Sequence, residues 1–145
     1  MDNNIIHSLE ITACRRRIDI VNMIYHAKTG HIGGSLSSVD LLTALYYHVM
    51  DLEKIKAKAP DRDRFVLSKG HSVEGFYAIL ADCGFFPKEE LSTYAQFHTR
   101  LACHPTSKVP GVEVCTGSLG HGLPVAVGMA LGMQRDGSGG HAYVV

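Results

Sequence analysis

The apolar positions of the chain begin as a helical stripe. From Asn4 to about Lys28, Ile5, Leu9, Ala13, Ile20, Ile24 and Ala27 recur at steps that keep one face apolar, which predicts an amphipathic helix. Thr29-Gly30 breaks the pattern, and "GHIGGSLSSVD" reads as a loop in which Ser37 and Asp40 form a capping-box variant. A second helix is predicted from there to about Met50 through Val39, Leu41, Leu42, Leu45, Tyr46 and Val49. It is apolar over much of its surface and so expected to lie deep. A charged connection with Pro60 leads to "RFVLS", a short apolar run without alternation, as in a strand covered on both faces. A helix over about Val73–Cys83 follows, with Gly84 placed to terminate it. Pro87 opens a further predicted helix, "KEELSTYAQF". His98 to Glu113 is irregular, "VCTGSLGHG" is a glycine-rich turn entering a helix, and "HAYVV" reads as a second strand.

Helices alternating with wholly apolar strands predict an α/β layer fold with a parallel sheet flanked by helices. With only two confident strands, the sheet is expected to be partial. The 145 residues suit a single domain, 1–145. Gly128 and Gly132, four apart in the last helix, predict close helix packing.

Composition narrows the function classes. Net charge is zero, which argues against broad capture of nucleic acid or of an anionic membrane surface. No apolar run reaches membrane-spanning length. The run Arg15-Arg16-Arg17 reads as a solvated helix edge. Four cysteines without C-x-x-C spacing, and no signal-peptide pattern, point to reduced thiols in the cytoplasm. Cys14, Cys83 and Cys115 lie in or beside apolar segments and read as buried and inert.

The unusual feature is nine histidines, four of which directly follow a glycine: His31, His71, His121 and His141. Glycine lets the neighbouring backbone turn sharply or approach a ligand closely. Ligands of open parallel sheets bind beyond the carboxyl ends of the strands, where "FVLSKGHS" places Ser68, Lys69, Gly70 and His71 as an anion site or as a surface lysine and a helix-capping histidine. "TGSLGHG" offers backbone N–H groups at a helix start, suited to phosphates or other polar ligand edges. It is neither a P-loop nor a dinucleotide fingerprint. His104, in "CHP", lies in irregular chain that can turn into a cleft. His7, His26, His48 and His98 fall in or beside helical patterns and read as structural. No His/Cys pair has zinc-ligand spacing.

In combination, "KTGHIGGSLSSVDLLTALYYHVM", "PDRDRFVLSKGHS", "GFFPKEEL", "CHP" and "PGVEVCTGSLGHGLPVAVGMALGM" resemble the amino-terminal part of transketolases, most of all the split-gene form with a separate amino-terminal subunit. The segments occur in family order and cover nearly the whole chain. The pair "DRFVLSKGH" and "TGSLGxG" is specific, and deoxyxylulose phosphate synthase fits less well.

The resemblance implies part of a thiamine-diphosphate-binding fold and an enzyme that moves a two-carbon ketol unit between sugar phosphates. It implies that His31 lies near the reacting carbons, His71 at the diphosphate and substrate, and His104 at the donor's hydroxyl. It makes Gly117, Ser118 and Leu119 cofactor-binding residues, seating the polar edge of the pyrimidine rather than a phosphate. Two positions depart from the family. Ile32 replaces the usual proline, and His121 replaces the common glutamine, which alters hydrogen bonding near the cofactor. In the family the strand matching "HAYVV" runs into a "GDG" turn whose aspartate, with a later asparagine, holds magnesium or calcium. Those ligands, the pyrimidine-binding domain and its activating acid lie outside this sequence. The expectation is therefore a chain inactive alone, working with a carboxy-terminal transketolase subunit or in a homo-oligomer. The alternative is a non-catalytic, truncated relative serving as an interaction or oligomerisation module.

Overall fold

A computed structural model describes residues 2–145. Five α-helices surround a short sheet: α1 (Asn3–Ala27), α2 (Ile32–Ala44), α3 (Leu52–Lys56), α4 (Val73–Asp82) and α5 (Gly122–Asp136), with β1 (Arg64–Val66) and β2 (Ala142–Val144). The strands are parallel, in the register Arg64↔Ala142, Phe65↔Tyr143, Val66↔Val144. Lys69 N–H donates to the Val145 carbonyl, extending the pairing to the mouth of the sheet. α5 packs on both strands, and α1, α2 and α4 pack on one another. This is the expected α/β arrangement, with a two-stranded parallel sheet.

The core is centred on α4, whose residues from Val73 to Ala81 are all buried. Tyr46, Phe65 and Phe76 join α2's continuation, β1 and α4 through ring contacts at 5.0–5.9 Å, edge and tilted geometries that favour aromatic pairs. Asp2 accepts from Asn4 N–H at the start of α1, and Gly137 closes α5 in the left-handed region, as capping chemistry requires.

Several expectations are corrected. α2 begins at Ile32, not near Ser37, so most of the supposed loop "GHIGGSLSSVD" is helix. Gly34 belongs there because a Cβ would stand 2.5 Å from Ser72 Oγ. The second helix ends in a π-helical turn, Leu45–Val49, and Leu41 and Val49 are exposed. The segment after Pro87 forms only a 3-10 helix, Lys88–Thr93, because Ala95 turns to positive φ and gives its N–H to the Leu101 carbonyl.

The first helical stripe is buried at Ala13 and Ile20, half-buried at Leu9, Ile24 and Ala27, and exposed at Ile5, while Met23, outside the stripe, is also buried. Arg16 is buried, paired with Asp19 and Asp82, while Arg17 pairs with Asp40 at the surface. The arginine run is therefore split between core and solvent. No neighbour lies within 4 Å of a Cβ built on Gly128 or Gly132, so the predicted close packing does not occur within the described residues. Cys83 is buried, whereas Cys14 and Cys115 are exposed. His7, His26, His48 and His98 are solvent-exposed rather than structural.

Candidate functional site

The site forms where β1 ends. After Val66 the chain passes Ser68 and Lys69 into a 3-10 turn, Gly70–Ser72, which carries His71 and runs directly into α4. Two glycines let the "TGSLGHG" segment lie against this end. A Cβ on Gly70 would meet Thr116 carbonyl atoms at 2.9 Å, and one on Gly122 would meet Ser68 Cα at 2.8 Å. Thr116 Oγ1 donates to the Leu67 carbonyl at 2.5 Å, fixing the approach.

His31, His71 and His104 come together above this junction. The His31 ring centroid is 5.2 Å from that of His71 and 6.0 Å from that of His104, both edge-on. Gly117 lies beside them, with the His104 ring 3.6 Å from where its Cβ would be. The three histidines from separate segments thus share one cleft with the glycine turn. His121 is exposed at the start of α5 and makes no side-chain cap there.

The cleft has polar capacity to spare. Gly117, Ser118 and Leu119 are exposed, and no backbone hydrogen bond among the described residues uses their N–H groups. Ser72 Oγ, buried beneath Gly34 and His71, has no partner among the described residues, and such a group normally has one. Lys69 reaches across to Ser37 Oγ at 3.2 Å. N–H groups without backbone partners in the turn before α5, an unused hydroxyl and three imidazoles fit an anionic, nitrogen-rich ligand. Among the described residues, no group of three or more His, Cys, Asp or Glu side chains could hold a metal ion.

Sequence reasoning missed the residues beneath the cleft. Glu74 is fully buried and accepts from His31 N–H, Ser35 Oγ and Tyr94 Oη. Tyr77 Oη donates to the His104 carbonyl at 3.1 Å. Burial pushes both phenols up, and for Tyr94 the Glu74 carboxylate adds to the effect, so both remain donors. Glu74 sits in a continuous apolar run, and no spacing in the sequence marks it out. Cys115, next to Thr116, is held below the ordinary thiol range by the Ser107 N–H and Oγ. A cavity of about 590 Å³ lined by Ile55, Arg62, Phe85, Val109 and Glu113 contains none of the clustered histidines.

Residues 7–137 match the family described as "Transketolase, thiamine diphosphate binding domain", and the chain belongs to the transketolase family. It is 46% identical over 140 residues to a subunit of the apulose-4-phosphate transketolase of Phocaeicola vulgatus, covering 97% of this chain and 50% of that protein. Human transketolase is 36% identical over 129 residues, covering 89% of this chain and 21% of that protein. Among solved structures, transketolase from Campylobacter jejuni superposes with a TM-score of 0.80 at 30% identity, covering 94% of this chain and 21% of that one. The chain spans about half the length of the curated apulose-4-phosphate transketolase subunits it matches.

Proposed function

We propose that this chain supplies the diphosphate side of a ketol-transfer site, completed by a second polypeptide carrying the pyrimidine-binding domain. The observation that carries the reading is the clustering of His31, His71 and His104 beside the glycine turn, where a Cβ on Gly117 would lie 3.6 Å from the His104 ring. Relatives named as single subunits of a transketolase support a second polypeptide.

When bound, thiamine diphosphate supplies the stabilised carbanion that ketol transfer needs. The chain's own residues would hold and orient. Backbone N–H groups of Gly117 to Leu119 would meet the polar edge of the pyrimidine, with the Leu119 side chain as an apolar surface. His71 would donate to a diphosphate oxygen. His31 and His104 would face the sugar, where an imidazole can hold or move a proton and stabilise a developing oxyanion near neutral pH. A magnesium or calcium ion would offset the charge of the diphosphate when bound, at ligands other than His31, His71 and His104.

Sugar phosphates are the substrate class, as in the transketolase of Pichia stipitis solved with fructose 6-phosphate. The pentose phosphate sugars are within that class. The four cysteines are free thiols, which suits a reducing, cytoplasmic setting. No helix among the described residues is long and apolar enough to cross a membrane.

The test combines the full-length subunit containing this chain with its partner polypeptide, thiamine diphosphate and magnesium. Ketol transfer from fructose 6-phosphate or xylulose 5-phosphate to an added aldose phosphate acceptor is measured. Transfer is expected, and His104→Ala should lower kcat/KM by about 10²- to 10⁴-fold while cofactor binding, read by calorimetry, persists. An inactive complete enzyme, or unimpaired transfer by the variant, contradicts the assignment.

A further inference from the structure

Glu74 is an anomaly in the core. It lies in the first turn of α4 with buried neighbours on both sides and is itself fully buried. A carboxylate is expensive to bury unless every oxygen is satisfied, and an apolar residue would pack there more simply. Such departures from core rules concentrate where function demands them.

Its partners show what it does. Oε1 accepts from His31 N–H at 2.8 Å and from Tyr94 Oη at 2.6 Å, and Oε2 accepts from Ser35 Oγ at 2.6 Å. Gly30, immediately before His31, sits at φ +145° with its absent Cβ only 2.6 Å from Oε1. Glycine is what allows the loop to settle on the carboxylate. Tyr94 packs edge-on against Tyr77 at 6.4 Å, and Tyr77 bonds the His104 carbonyl. His71 lies three residues before Glu74 on the same turn into α4.

We infer that Glu74 is the positioning residue of the histidine cluster. It fixes His31 through the backbone N–H and, through the paired tyrosines, steadies His104 against the segment that carries His71. It does not touch the ligand cleft, and its role is geometric. Preorganisation of this kind is what sites in which sub-ångström placement matters require. In glutamine the carbonyl oxygen still accepts from His31 and Tyr94 while the amide donates to Ser35 Oγ. Aspartate keeps the charge and loses the reach. The geometry therefore ranks Gln above Asp, whereas a role for the charge would rank Asp above Gln.

The functional half of this inference rests on the ketol-transfer reading, so the experiment carries a readout independent of it. Wild type, Glu74→Gln, Glu74→Asp and Glu74→Met are compared in the full-length subunit with its partner. Hydrogen exchange at the His31 amide is measured beside kcat and KM for xylulose 5-phosphate. In Glu74→Met and Glu74→Asp, His31 exchange should quicken by about tenfold or more. In the same variants kcat should fall by about tenfold or more while KM stays within about threefold. Glu74→Gln should recover both to within about threefold of wild type. If the methionine variant does not fold, the aspartate variant carries the comparison. Unchanged His31 exchange in the aspartate variant, or a glutamine variant worse than the aspartate one, overturns the inference. A wild-type enzyme without ketol transfer removes the proposed function, and the exchange rates alone then decide whether Glu74 positions His31.

Discussion

Single glycines decide how the cleft closes, and for different reasons at different positions. Gly70 and Gly122 are not among the glycines of positive φ, so their requirement is spatial. A Cβ on Gly70 would strike the Thr116 backbone, and one on Gly122 the Ser68 backbone. Backbone atoms cannot rotate away, so Gly70→Ala and Gly122→Ala should each cost about 1–3 kcal/mol. Gly132, in the interior of α5 with nothing within 4 Å, provides the contrast. Gly132→Ala should stabilise the chain by up to about 1 kcal/mol through helix propensity. Urea unfolding of the three variants checks both signs. Loss of stability in Gly132→Ala, or none in Gly122→Ala, would contradict this account. The Gly-His pairs at His31 and His71 were legible as places where backbone approaches something closely. Glu74 was not legible, because a carboxylate inside an apolar run carries no periodic signal. Only the fold brings Ser35 and Tyr94 to it.

Whole elements were legible where a cap or a long period marked them. α1 shows a 25-residue pattern, and α4 is bounded by a turn and Gly84. The start of α2 was hidden because glycine and serine favour loops locally, while the Gly34 and Ser72 contact that demands glycine is tertiary. The 3-10 segment after Pro87 was misread because its reversal at Ala95 depends on Leu101. β2 is a short element whose entry is held from a distance. Asp63 accepts from His141 N–H at 3.0 Å and from Asp51 N–H at 3.4 Å. The His141 ring lies 3.3 Å from the same carboxylate. Asp63→Ala removes the acceptor and should free the start of β2 at a cost of about 1–2 kcal/mol. Hydrogen exchange at His141 and at Arg64, whose N–H donates to the His141 carbonyl, should quicken. α4 amides should keep their protection relative to global unfolding. Equal loss of protection in α4 and β2 would show that the strand has no separate anchor.

At the scale of the molecule, α5 has two unlike faces. Inward, Ala126 and the bare Gly122 lie against β1. Outward, Leu123, Val127 and Leu131 recur every four residues and are 52%, 51% and 60% exposed. Four-residue spacing keeps them on one slowly drifting stripe. The small, open Gly128 and Gly132 leave that surface shallow. A contiguous apolar stripe on a chain of zero net charge has little electrostatic repulsion to keep copies apart, and such patches mark contact surfaces. The 145-residue chain in isolation is therefore expected to associate as concentration rises. The combined Leu123→Gln, Val127→Gln, Leu131→Gln variant should suppress that association. Since these side chains are already in water, each change should alter folding stability by only about 0.5 kcal/mol. Light scattering across a concentration series, paired with thermal unfolding, separates the two effects. A wild-type chain that remains monomeric throughout would mean that the stripe drives no association on its own. A variant that associates as strongly as wild type would move the contact to other exposed apolar side chains, such as Ile18 and Tyr25 of α1.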